Sequence, residues 1–146
     1  MKLKRIILAT ILAAGTLVGV ANSASAASAP APNVKACFSY ASTGGPASGL
    51  HAELYEASPT ATSWTPIHPG TTNSAGCVTW IGVHRGYGYH AMVHQVYGGG
   101  YDAYGRYLGI WVGDGYTNAA TTGSTGTLSV AGLVTYVCRP GVAITC

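Results

Sequence analysis

The sequence predicts an all-β fold, a single antiparallel β-sandwich of about seven strands held by two disulfides. Three observations carry this. After Ala27 the chain is rich in Gly, Thr, Ser, Tyr and Val, whereas Lys, Glu and Gln contribute only Lys35, Glu53, Glu56 and Gln95. The first set suits turns and strands, and the second suits helices. Short alternating apolar runs recur between Gly- and Pro-bearing turn signals, as in small sandwiches. Four cysteines follow what reads as an export signal, the setting in which cysteines pair.

That signal has three zones. Met1 to Arg5 carries Lys2, Lys4 and Arg5; Ile6 to Val20 is an uncharged apolar run of 15 residues; Ala24-Ser25-Ala26 is small throughout. The order is that of a secretory signal peptide. The apolar run is shorter than the roughly 20 residues a spanning helix needs, so cleavage after Ala26 is expected rather than anchorage. The expected organisation is a signal peptide at 1–26, a flexible arm at 27–33 and one domain at 34–146, secreted and off the membrane once cleaved.

Cleavage leaves the chain neutral: Lys35, Arg85, Arg106 and Arg139 balance Glu53, Glu56, Asp102 and Asp114. Four dispersed cations make no basic stripe, which excludes nucleic acid and an anionic membrane surface as partners. All ten Tyr, three Trp and the one Phe follow the signal. So many aromatics mark a packed fold rather than disorder.

The strands are expected in this order. Val34 to Tyr40 is the first, followed by a turn at Ser42 to Ser48 around Gly44-Gly45-Pro46. Leu50 to Tyr55 alternates, with Leu50, Ala52 and Leu54 on one face and His51, Glu53 and Tyr55 on the other. Trp64 to His68 is a short edge strand, because Pro66 is tolerable only at an edge. Pro69 to Gly76 turns into a strand at Cys77 to Ile81, where Val78 and Trp80 share a face. Tyr87 to Tyr97 is the longest expected strand, with Tyr89, Ala91, Val93, Gln95 and Tyr97 on one side. Gly98-Gly99-Gly100 breaks it, and Tyr104 to Val112 is the next, weakened by Gly105 and Gly109. Gly113-Asp114-Gly115 reads as a turn and Thr117 to Gly126 as a loop. Thr127 to Val130 and Leu133 to Cys138 close the domain as a hairpin over Ala131-Gly132.

Four cysteines allow three connectivities. The short Pro140-Gly141 loop favours Cys138 with Cys146, leaving Cys37 with Cys77. No CxxC pair suggests zinc.

The middle of the chain carries a motif. Leu50-His51-Ala52-Glu53-Leu54-Tyr55 is followed by Thr72-Asn73-Ser74-Ala75-Gly76, then Val78-Thr79-Trp80, Val83, Gly86 and Tyr89. This resembles the transthyretin-like, or carboxypeptidase-regulatory-like and Cna-B-like, β-sandwich modules, over about half of the exported chain. Asn73 stands where that pattern has an acid, and Tyr89 follows Gly86 by three residues rather than two. Ala36-Cys37-Phe38-Ser39-Tyr40 and Gly76-Cys77-Val78-Thr79-Trp80 also resemble small exported bacterial proteins. The resemblance implies a sandwich and no activity. The isopeptide bond of some Cna-B-like modules is not expected, since Lys35 is the single lysine after the signal and the closing strands contain no Asn.

Candidate chemistry is sparse. His90 and His94 are four apart, roughly 13 Å along a strand, too far to share an ion; both are expected to face solvent. Glu53 and Glu56 point to opposite faces, whereas Asp102 and Asp114 flank the Tyr-rich segment and could converge across a hairpin. No GxSxG, HExxH or P-loop pattern is present. The sequence therefore predicts neither catalysis nor a cofactor.

The leading feature is aromatic. Tyr97, Tyr101, Tyr104, Tyr107, Trp111 and Tyr116 lie within twenty residues among glycines, and Tyr101, Tyr104, Tyr107 and Trp111 are the candidate ligand-binding residues. Aromatic faces with few charges suit stacking on sugars or packing against a protein. The expected function is an exported, non-enzymatic binding module for a neutral polysaccharide or cell-wall polymer, or for an extracellular protein. The alternative is a structural protein of the cell envelope that self-associates through edge strands.

Overall fold

The computed structural model describes residues 28–146, so the signal peptide expected at 1–26 lies outside the described residues. The chain forms eight strands and, among the described residues, no helix. They are β1 (Asn33–Tyr40), β2 (His51–Ala57), β3 (Thr65–Thr71), β4 (Cys77–Trp80), β5 (Gly88–Gly98), β6 (Ile110–Thr117), β7 (Ala120–Thr121) and β8 (Thr127–Arg139).

All-β architecture with two disulfides is as expected. The layering is not that of a clear two-sheet sandwich. The strands belong to one sheet, in the order β3-β2-β5-β6-β8-β1-β4, with β7 paired to β5. The sheet curls until its ends nearly meet as a barrel. Gly70 of β3 lies beneath Val78 and Trp80 of β4, and the Trp80 indole Nε1 donates to the Pro69 carbonyl at 3.3 Å. A Cβ on Gly70 would stand 2.6 Å from Val78 Cγ2, so the approach requires glycine.

The principal correction concerns the C-terminal strand. No hairpin forms over Ala131-Gly132. β8 runs unbroken for 13 residues, longer than the 11 of β5. It pairs parallel with β1 from Asn33↔Thr127 to Tyr40↔Val134 and antiparallel with β6 from Ile110↔Arg139 to Thr117↔Gly132. The sheet is therefore mixed. Gly132 is small for packing, not for turning: a Cβ there would lie 2.5 Å from the Tyr116 carbonyl oxygen and 3.0 Å from the Phe38 ring. β6 also falls later than expected. Tyr104 to Gly109 stays outside it, and Gly113-Asp114-Gly115 is strand rather than turn. Gly113 and Gly115 face inward, beneath Tyr136 and against Val93 and Val134.

Alternation sorts the remaining residues. Val34, Ala36 and Phe38 of β1, Ala52 and Leu54 of β2, Tyr89, Ala91 and Val93 of β5, and Val130 and Val134 of β8 are buried in one core. The 41–50 loop crosses one end and adds Ala47 and Leu50. Thr72 holds it there, its hydroxyl donating to the Ala47 carbonyl at 2.6 Å and accepting from the Leu50 amide at 2.9 Å. Asn73 organises the turn before β4, its side-chain oxygen accepting from the Ala75 and Cys77 amides at 2.9 and 3.1 Å. In the segment expected to be an arm, Pro32 is buried and Asn33 opens β1.

The disulfides are Cys37–Cys77 and Cys138–Cys146. The first joins directly paired positions of β1 and β4. The second closes the C-terminal loop onto β8, and that loop packs on the segment before β6 through Val142 N to Tyr107 O (2.9 Å) and Ile144 N to Leu108 O (3.0 Å).

The packing role of Gly132 is testable by urea denaturation. Gly132→Ala is expected to destabilise by about 1–3 kcal/mol, the usual cost of forcing atoms into a filled space. Gly123→Ala, where a Cβ meets nothing closer than 3.7 Å, is expected to stay within about 0.5 kcal/mol of wild type. Equal effects at both sites would contradict this account.

Candidate functional site: an aromatic cleft at the open end

Strands β5, β6 and β8 continue past the buried core at one end. Beyond Val93 and Val134 the inward-facing positions become Gln95 and Tyr97 on β5, Trp111 on β6 and Tyr136 on β8. Tyr40 joins them from the end of β1. The rings converge: Tyr40 and Tyr136 lie 5.7 Å apart between centroids, and Trp111 meets Tyr136 edge-on at 6.2 Å. The space exists because Gly113, paired with Tyr136, carries no side chain where a Cβ would stand 2.5 Å from that ring.

These residues, with Ala41, Ser42, Val134 and Thr135, line a cleft of about 690 Å³, within the range of small-ligand sites. No charged side chain lines it. Its polar groups are amide and hydroxyl, and the Tyr136 hydroxyl donates to Gln95 Oε1 at 2.8 Å. Burial, with Tyr40 beside it, pushes the Tyr136 hydroxyl up to about 12. The cleft is thus neutral across the physiological range, apolar on its ring faces and capable of hydrogen bonding at its edges.

Of the four aromatic residues picked from the sequence, only Trp111 reaches this cleft. Tyr101 and Tyr107 form an isolated bridge in the loop before β6, their rings 5.7 Å apart. Tyr104 is 84% exposed, with the Arg106 guanidinium 5.3 Å from its ring centroid. Asp102 organises that loop by accepting from the Tyr104 and Arg106 amides, both at 2.9 Å, and pairing with the Arg106 guanidinium. The Arg106 amide contributes most to holding its carboxyl below the ordinary carboxylate range. The residues not singled out are Tyr40, Gln95 and Tyr136, while Tyr97 belonged to the aromatic segment but not to its four candidate binders. For Gln95 and Tyr97 a signal existed, since they share a strand face with Tyr89, Ala91 and Val93.

The other chemistry-bearing groups stand apart. Asp102 and Asp114 do not converge: Asp114 sits on the outer face, paired with His94. His90 is half-buried rather than solvent-facing, stacked on Tyr55 at 4.9 Å and edge-on to Trp64 at 4.6 Å. Desolvation lowers its pKa. At the barrel's far end Glu56 Oε2 accepts from the Tyr89 hydroxyl at 3.1 Å and lies 3.0 Å from His84 Nδ1. Among the described residues, no three His, Cys, Asp or Glu are placed to hold one metal ion.

No protein family and no curated protein matches the chain. Among solved structures it is similar to a 9R-lipoxygenase from Cyanothece PCC8801, at 13% identity and a TM-score of 0.36, over 67% of this chain and 16% of that one.

Two hydroxyls, that of the buried Tyr89 and that of the half-buried Tyr136, generate a pH prediction. Desolvation above all, with the hydrogen bond to Glu56, raises Tyr89 from 10.0 to about 12, matching Tyr136. Each folded hydroxyl keeps its proton where the unfolded chain has released it. Their stabilisation is therefore complete below pH 10 and lost as pH rises towards 12. The urea midpoint is expected to fall across that window, and to fall less steeply in Tyr89→Phe. Identical slopes in the two proteins would contradict the assignment.

Proposed function

We propose that this is an exported, non-enzymatic binding module that takes a neutral polysaccharide or cell-wall polymer into the aromatic cleft. The observation carrying the proposal is the lining: Tyr40, Tyr97, Trp111 and Tyr136 around Gln95, with no charged side chain. Pyranose rings present apolar C–H faces to aromatic rings and hydroxyls at their edges. Stacking on Trp or Tyr with an amide at the rim satisfies both. A charged ligand would find no counter-ion here, and a nucleophile–base pair is missing from the lining.

Secretion supports the same reading. Two disulfides are typical of proteins that mature outside a reducing cytosol, and the N-terminal zones have the order of an export signal. The Leu50–Tyr89 motif leads us to place the domain, again as a proposal, with transthyretin-like modules.

The test is co-sedimentation of the oxidised exported protein with insoluble polysaccharides and cell-wall fractions. Wild type is expected to sediment with one class of polymer and to be released by a soluble sugar. Trp111→Ala and Tyr136→Ala should each weaken binding at least tenfold, about 1.4 kcal/mol. Tyr104→Ala, outside the cleft, should bind like wild type. No sedimentation with any polymer, or equal losses at Tyr104 and Trp111, would sink the proposal.

A further inference from the structure

Glu56 is a carboxylate built into the far end of the barrel. Register sets it opposite Tyr89, whose side chain is fully buried, so it turns inward where Glu53 turns out. Its side chain is 17% exposed. A charge so far withdrawn from water ordinarily has a cationic partner. Among the described residues no Lys or Arg pairs with Glu56, and its one ion-pair neighbour is the His84 imidazole. Arg85, next in the chain, is engaged instead by the Ser124 and Ala29 carbonyl oxygens.

The surroundings hold this carboxylate in one place. Its Oε2 accepts from the Tyr89 hydroxyl at 3.1 Å and from His84 Nδ1 at 3.0 Å. The Tyr89 hydroxyl accepts in turn from the His84 amide at 2.9 Å. Three further bonds fix the 82–84 segment: Gly82 N to Asn33 Oδ1 (3.2 Å), Val83 N to Pro32 O (3.0 Å) and the Thr122 hydroxyl to His84 O (2.8 Å). Oε1 of Glu56 has no donor among the described residues. Glu56 and His84 line a cavity of about 340 Å³ with Ile67, His68, Gly82 and Val83. Ile67 reaches it through a bulge in β3. Leu54 pairs with His68 and Tyr55 with Pro66, which leaves Ile67 as the extra residue, partly buried against the core. Bulges re-aim side chains in this way beside functional sites.

We infer that this cavity binds a primary alkylammonium group. Glu56 supplies the counter-charge, but only one oxygen is free. A guanidinium forks onto both oxygens of a carboxylate, whereas an ammonium is a point charge that needs one. A metal ion fits poorly, because protein sites for such ions use three or more ligands and no three His, Cys, Asp or Glu of the described residues are so placed. His84 supplies a second acceptor. An ionised carboxylate cannot donate, so Nδ1 carries the proton in the bond to Glu56, and Nε2 of the neutral ring accepts. Ile67 and Val83 offer apolar surface to the methylene stem, as long cationic side chains use it elsewhere. The cavity shares no lining residue with the aromatic cleft, so the inference stands apart from the polysaccharide reading.

Titration of n-pentylammonium into the oxidised exported protein, followed by residue-resolved NMR, tests this. Saturable shifts are expected at the His84 ring and at the Ile67 and Val83 methyls. n-Pentanol, the same stem without the charge, and n-pentylguanidinium should each bind about tenfold more weakly or worse. Glu56→Gln keeps an acceptor for Tyr89 and should raise the dissociation constant by about tenfold or more. His84→Phe keeps every backbone bond of the loop and should also weaken binding. Spectra of both variants should match wild type away from the cavity, which separates lost binding from misfolding. Glu53→Gln, on the outer face, and Trp111→Ala, in the cleft, should bind like wild type. Cadaverine and Nα-acetyl-lysine methylamide distinguish a free amine from a peptide side chain: saturable binding of either supports the inference, and the tighter names the source. No saturable shift with n-pentylammonium at any concentration would overturn it. So would equal losses in Glu53→Gln and Glu56→Gln, or n-pentanol binding as tightly as n-pentylammonium.

Discussion

The molecule depends on the pairing of β8. This one strand is parallel to β1 on one side and antiparallel to β6 on the other. It therefore joins the N-terminal strands to the β5–β6 pair in one sheet. Its inward side chains run from Val130 and Val134 in the core to Tyr136 in the cleft, and its outward ones are Leu133 and Val137. A turn at Gly132 would divide the sheet, leave part of the β1 ladder unpaired and remove the wall that Tyr136 provides. The parallel contact is also long-range in sequence, so its loop-closure cost must be met by the packing that follows.

Glycine is what lets so many rings occupy a narrow barrel. Gly70, Gly113, Gly115 and Gly132 all sit where a neighbouring strand places a bulky group. Each gives up side-chain packing of its own to admit Val78, Tyr136, Val134 or Phe38. The cleft follows from the same device: above Gly113 the inner surface is made of rings rather than aliphatic fill. Strand overhang then exposes those rings instead of burying them.

Much of the fold was legible from alternation and turns. β1, β2, β4 and β5 lie close to the positions that their apolar periods indicate, and the edge character of β3 followed from Pro66. The sequence also favoured the pairing of both disulfides that the structure holds. The misreadings share a cause. Ala131-Gly132 and Gly113-Asp114-Gly115 carry turn chemistry, yet tertiary neighbours need small residues there, and single-sequence propensity cannot tell those uses apart. The site was half legible. Clustering in sequence pointed to Tyr101, Tyr104 and Tyr107, which decorate a loop tied by Asp102. The cleft is instead assembled across four strands, from Tyr40 to Tyr136. Only the pairing of β8 with both β1 and β6 brings those rings together, and that pairing leaves no local mark.

The most direct test of the cleft as the binding site is residue-resolved NMR of the oxidised protein titrated with a soluble oligosaccharide from the polymer it retains. The account predicts saturable shifts at the Trp111 indole, the Gln95 amide and the rings of Tyr40, Tyr97 and Tyr136, with Tyr101, Tyr104 and Tyr107 unmoved. Shifts confined to the 101–107 loop, or a silent cleft under saturating ligand, would contradict it.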